Sequence, residues 1–206
     1  MAAGYGAVPQ RTTFAVMKRI AVFASGQGTN ASNLIAHFRD HEAVRVMWVV
    51  SNRKDAPVLE RARDLGVEAS YIEVSAWEDG SMLEALRAHK IDLIVLAGFL
   101  KLIPVSIITA YKGRIINIHP SLLPKFGGKG MYGKNVHAAV AAAHETHTGI
   151  TIHHVNEHFD EGEIIAQYSV ALDPNDDASA IEKKVRSLEK EHFAPTVEKW
   201  ASGNLV

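Results

Sequence analysis

At 206 residues, 47% of them hydrophobic and 22% charged, the chain is long enough for one substantial core and has the makeup of a globular protein. Its 22 Lys and Arg nearly balance 23 Asp and Glu, so no global basic field exists to hold a nucleic-acid backbone. Cysteine is absent, which excludes disulfides, thiolate metal ligands and a cysteine nucleophile and fits a cytoplasmic location, while no apolar run is long enough to span a membrane.

Residues Met1–Val16 read as a loosely ordered extension or cloning remnant, with Met17 as a natural start and residues 17–206 as one domain. Arg19–Ala24 reads as a buried strand, Ser25–Asn30 as a loop, and Ala31–Asp40 as a helix. The β-branched run Val44–Ser51 is a second strand. A helix over Pro57–Leu65 follows, with proline suited to its first turn and Gly66 to its exit. A third strand over Ala69–Val74 precedes a helix ending near His89. Asp92–Ala97 is a fourth strand closed by Gly98-Phe99, with a short helix beyond Pro104. The strand carrying Asn117 comes next, then a helix over Asn135–His144. Gly149–Asn156 and Ile164–Leu172 read as two further strands, and a long amphipathic helix over Ala178–Ser202 ends the pattern. Strands alternating with helices predict an α/β fold: a mostly parallel twisted sheet, helices on both faces, Rossmann-like, with an antiparallel C-terminal addition. Ligands of such sheets sit beyond the carboxyl ends of the strands, where strand order reverses. Three loops lie there: Ser25–Asn30, Gly98–Ile103 and Asn117–Pro124.

The segment Asn117-Ile118-His119-Pro120-Ser121-Leu122-Leu123-Pro124 carries the most chemical information. A strand places residues i and i+2 on one face, so the Asn117 amide and the His119 imidazole project together. Pro120 cannot donate to a central ladder, so the strand stops there. An amide donor beside a titratable ring suits chemistry on a carbonyl, although the spacing is equally compatible with an Asn and a His satisfied by turn hydrogen bonds. In Ser25-Gly26-Gln27-Gly28-Thr29-Asn30, glycines let backbone approach an anion and the helix start supplies free N–H groups. A single phosphate is the preferred ligand: the third glycine of the dinucleotide pattern is missing, although the Ala at residue 31 is tolerated in some variants and leaves a nicotinamide cofactor, or a purely structural tight turn, as lesser alternatives. Gly128 to Asn135 imitates a nucleotide-triphosphate loop, but Asn135 stands where Ser or Thr must bind Mg²⁺, and Pro120 and Pro124 preclude the buried strand required before it. Among 11 histidines, His144 and His147 straddle a helix end, and His153 and His154 point to opposite faces of a strand. Separate roles are expected, and no metal. Periodicity alone makes Asp160 an ordinary turn aspartate; beside His119 it would orient the ring.

Taken together these segments resemble the phosphoribosylglycinamide formyltransferases of purine biosynthesis. The matching pieces are Ser25–Asn30, Leu96–Phe99, Asn117–Lys125, Thr148–His153 and Asp160–Ile165, within a span from Arg19 to about Trp200. The resemblance implies transfer of a formyl group from 10-formyltetrahydrofolate to the amine of glycinamide ribonucleotide, without a metal. It implies that Asn117, His119 and Asp160 are catalytic, the first two stabilising an oxyanion. Gly28, Thr29 and Asn30, with Arg186 and Glu189 from the last helix, would hold the ribonucleotide. Leu100, Lys101, Leu102 and Ile103, together with Asn117, Asn156, Glu157, His158, Phe159 and Asp160, would hold the folate. Lys101 departs from the pattern, since many relatives carry Arg there, so any bidentate contact is lost. The alternative within the same group is 10-formyltetrahydrofolate hydrolysis, but such hydrolases usually carry an added N-terminal domain that residues 1–16 are too few to supply. Nucleic acid and membrane are not expected partners; monomer and homodimer stay equally open.

Overall fold

The computed structural model describes residues 17–204, so the expected extension over Met1–Val16 lies outside the described residues. Strands β1 (Lys18–Phe23), β2 (Val44–Ser51), β3 (Glu68–Tyr71), β4 (Leu93–Leu96) and β5 (Ile115–His119) run parallel, and β6 (His147–His154) and β7 (Ile164–Ala171) add antiparallel strands at one edge. The sheet order is β3-β2-β1-β4-β5-β6-β7, so the order reverses between β1 and β4. The helices are α1 (Thr29–His37), α2 (Pro57–Asp64), α3 (Val74–Glu78), α4 (Ser81–Ala88), α5 (Val105–Ala110), α6 (Lys134–Ala142) and α7 (Ala178–Ala201).

Side chains alternate across β1 to build two cores. Ile20 and Val22 pack with Leu34, Val58, Val140 and Phe193 beneath α1, α2, α6 and α7. Ala21 and Phe23 face the other way, against Trp77, Leu86 and Ile107 from α3, α4 and α5. Burial on both faces accounts for the uninterrupted apolar run in β1 and β4, because parallel strands covered by helices have no wet side. One helix departs from the sequence expectation, and the last one follows it. The helix expected to end near His89 is split into α3 and α4 at Asp79-Gly80, where Gly80 is left-handed (φ 91°) and the Asp79 carboxylate accepts the Ser81 N–H at 2.8 Å. The last helix keeps its course through Pro195, and Asp177 caps its start by accepting the Ala180 N–H at 2.8 Å.

The antiparallel edge sets where the Asp160 loop returns. Asn117 pairs with His153 and His119 with Thr151 across β5 and β6. At the β6–β7 junction the backbone of Gly162 lies directly on the His154 carbonyl, leaving no room for a Cβ, which would stand 2.6 Å from the carbonyl carbon. Because the obstacle is backbone, no side-chain rotation relieves it. Gly162→Ala is therefore expected to cost about 3 kcal/mol of folding stability. Urea unfolding reads this as a lower midpoint, and an unchanged midpoint would contradict the packing.

Candidate functional site

A cavity of about 600 Å³ opens at the strand-order reversal, between the loops that leave β1, β4 and β5 and one side of α7. Gly28, Thr29 and Asn30 form its wall at the start of α1, where Gly28 takes a left-handed turn (φ 76°) and caps the helix without a side-chain acceptor. The first turn of a helix leaves its N–H groups without partners inside the helix, and these residues line the cavity, an arrangement that receives an anion. Across the cavity Arg186 and Glu189 enter from α7, three residues apart and so on one helix face. Arg186 pairs with Glu182 at 2.6 Å. Burial pushes the Glu189 carboxyl above the usual carboxylate range, against the pull of Asn30 and Arg186.

Asn117, His119 and Asp160 meet in the same cavity. Asp160 Oδ2 lies 3.4 Å from His119 Nδ1 and accepts the Gly128 N–H at 2.9 Å. Its Oδ1 accepts an Asn117 Nδ2 proton at 3.3 Å and lies 3.6 Å from His153 Nε2. Burial alone would raise the Asp160 carboxyl. The contacts with His119 and His153, the nearby His119 charge and the Gly128 N–H outweigh it and hold the group far below the ordinary carboxylate range. Asp160 is thus an ionised hub. His119 is only 3% exposed, and its Nε2 donates to the Phe126 carbonyl at 2.8 Å, so both ring nitrogens face acceptors.

The turn after β5 is fixed by side chains from β6 and β7. Thr151 Oγ1 donates to the Ser121 carbonyl at 2.7 Å and accepts the Leu123 N–H at 3.0 Å. Gln167 Nε2 donates to the Leu123 carbonyl at 2.9 Å. These bonds hold the chain that leads from His119 to Phe126, and through it the clamp on the ring.

Sequence reasoning missed three contributors here. His153 donates from Nδ1 to the His154 carbonyl at 2.7 Å, which leaves Nε2 as the acceptor for Asn117 Nδ2 at 3.1 Å. The two-residue spacing of Thr151 and His153 on one strand face was the available signal. The other two are backbone groups, the Phe126 carbonyl and the Gly128 N–H, and a side-chain reading has no means of seeing them.

The expected folate residues divide. Leu100 and Phe159 reach the cavity wall, both partly exposed, at 44% and 37%. Lys101, Leu102, Ile103, Asn156, Glu157 and His158 are not on that wall. Lys101 Nζ turns to Glu78 at 3.4 Å, Ile103 is buried at 3% exposure in the core beside Phe99, and Asn156 closes a local turn by accepting the His158 N–H at 2.9 Å.

Residues 18–197 match the formyl transferase family model. A phosphoribosylglycinamide formyltransferase of Bacillus subtilis is 35% identical over 188 residues, covering 88% of this chain and 94% of the relative. The chloroplastic phosphoribosylglycinamide formyltransferase of Arabidopsis thaliana is 41% identical over 182 residues and 85% of this chain, and the match takes in 62% of that longer relative. Among solved structures, glycinamide ribonucleotide transformylase 1 from Symbiobacterium toebii superimposes with a TM-score of 0.84 at 34% identity, covering 92% of this chain and 90% of that one. A reversal-point cavity with an anion-ready helix start, an Asn–His strand end and a sequence match along nearly all described residues agree: the chain belongs to the formyl transferase family, among the phosphoribosylglycinamide formyltransferases.

Proposed function

We propose that residues 17–206 act as one formyltransferase domain that moves the formyl group of 10-formyltetrahydrofolate to the amine of glycinamide ribonucleotide, in de novo purine biosynthesis and in a cytoplasmic setting. The observation that carries the reading is the convergence of a carboxamide, an imidazole and an ionised carboxylate in one cavity, with the N–H groups of α1 at its other end. Gly28, Thr29 and Asn30, with Arg186, anchor the phosphate; Glu189 faces the ribose. That anchoring delivers the amine to the formyl carbon. As the C–N bond forms, charge gathers on the formyl oxygen, where Asn117 donates and where His119 donates by turning an Nδ1 proton away from its 3.4 Å contact with Asp160. The Asn117 proton now shared with Asp160 at 3.3 Å makes the longer of its two bonds, and it turns to the oxyanion, which carries the same sign of charge as the carboxylate it leaves. The intermediate collapses by breaking the bond to folate N10. The amine loses a proton and N10 gains one, with Asp160 and His119 assisting the transfer through water.

The folate head group sits against Leu100 and Phe159, whose apolar surface is open at the cavity mouth. Lys101, Leu102, Asn156, Glu157 and His158 flank that mouth in sequence and complete the folate side as the bound molecule extends outward, while Ile103, buried in the core, supports the loop from beneath. The purified chain, incubated with 10-formyltetrahydrofolate with and without glycinamide ribonucleotide, tests the reading. Deformylation that requires the amine supports transfer. Release without the amine supports the hydrolase instead, and no release in either arm overturns both.

A further inference from the structure

One cavity-lining side chain has no place in the chemistry above. His137 lies in the first turn of α6, is 5% exposed, and belongs to the cavity wall together with Glu182 and Arg186 of α7. Among the described residues its Nδ1 has no hydrogen-bond partner. A buried ring nitrogen left unpaired costs free energy comparable to a lost hydrogen bond, so such groups persist where a ligand or water completes them. Burial lowers the ring's proton affinity, Glu182 opposes that effect, and Arg186 and His119 add to it. His119, Arg186 and Glu189 line the same cavity as the ring.

We propose that His137 is a ribonucleotide-contact residue, hydrogen-bonding the ribose–carboxamide stretch of the substrate between its phosphate and its reacting amine. The inference rests on the formyl-transfer reading for the identity of the substrate, and on the cavity geometry for the contact. A neutral polar group is the right partner there: Arg186 already faces the anion, and a second cation beside it would be repelled. A neutral imidazole with an unpaired nitrogen offers a directional bond and no net charge, which fixes the orientation of the substrate without strengthening its anionic anchor.

The test pairs calorimetric binding of glycinamide ribonucleotide, without folate, with steady-state kinetics. His137→Phe keeps the ring volume and removes both nitrogens, and His137→Gln restores one polar group. Dissociation and Michaelis constants for the ribonucleotide are expected to rise about tenfold in His137→Phe, the loss of one buried hydrogen bond, and to recover at least partly in His137→Gln. The folate Michaelis constant and kcat stay near wild type. A purely structural histidine would lower the unfolding midpoint and leave the ribonucleotide constants unmoved, and that outcome overturns the proposal. If His137→Phe does not fold, the comparison of His137→Gln and His137→Asn with wild type decides in the same way. Wild-type binding without transfer would sink the formyl-transfer reading while the contact is still judged by the binding constants. No binding to the wild type would sink both.

Discussion

Replacing His119 by Ala is expected to lower kcat for formyl transfer by about 10²–10⁴-fold, with the ribonucleotide Michaelis constant changed by no more than about threefold. The size follows from what the ring touches. Its Nε2 is tied to the Phe126 carbonyl, which fixes the ring, and its Nδ1 faces Asp160 at 3.4 Å, so only that long contact is exchanged when charge develops. Truncation removes the donor and also the main partner of an ionised carboxylate that is 11% exposed at its side chain. Asp160→Ala should lose a similar factor for a linked reason: Asn117, His119, His153 and the Gly128 N–H all converge on that carboxylate, and without it none keeps its aim. The double variant His119→Ala/Asp160→Ala should then be little worse than either single change, since the two act as a unit. The phosphate end lies on other elements, α1 and α7, which is why substrate binding survives. Wild-type turnover in His119→Ala would remove the imidazole from the mechanism, and fully multiplicative losses would mean the two groups act independently.

How far the sequence discloses this arrangement depends on whether a residue's position follows from its neighbours in the chain. Asn117 and His119 project together because any strand alternates, and Pro120 ends that strand, so their pairing was legible before any coordinates. The glycine loop was legible for a similar reason: strand, glycines and helix start are consecutive, and Gly28 lies in the left-handed conformation the anion reading needs. Asp160 was not. Its place beside His119 depends on the β5–β6 register and on the turn back at Gly162, which are long-range choices that local periodicity does not encode. Arg186 and Glu189 came from the family resemblance alone, and they reach the cavity because α7 packs along α1, α6 and β6. Lys101 shows a contact that local order does not encode: its ammonium lies 3.4 Å from Glu78 on α3, a short helix whose separation from α4 periodicity does not reveal.

The anion end can be tested with one methyl group. In Gly28→Ala the added Cβ would overlap the Val58 Cγ2 methyl and stand 2.6 Å from Val58 Cβ and 3.0 Å from its Cα. Val58 has no room to retreat: it is fully buried in α2, and its N–H donates to the Gly26 carbonyl at 3.2 Å, which ties the helix to the loop. The backbone adds a second penalty, since φ at residue 28 is 76° and a Cβ is strained there whatever the space. Together these should cost about 2–4 kcal/mol of stability. The loop can relieve the clash only by leaving its place at the start of α1, so the ribonucleotide Michaelis constant should rise about tenfold or more, with the folate constant little changed. The double variant Gly28→Ala/Val58→Ala removes only the Cγ2 overlap and leaves both the 2.6 Å approach to the residue 58 Cβ and the strained φ, so little stability should return and ribonucleotide binding stays weak. If Gly28→Ala instead binds the ribonucleotide as wild type does, the phosphate is held elsewhere, and the polarity assigned to the whole cavity must be reversed.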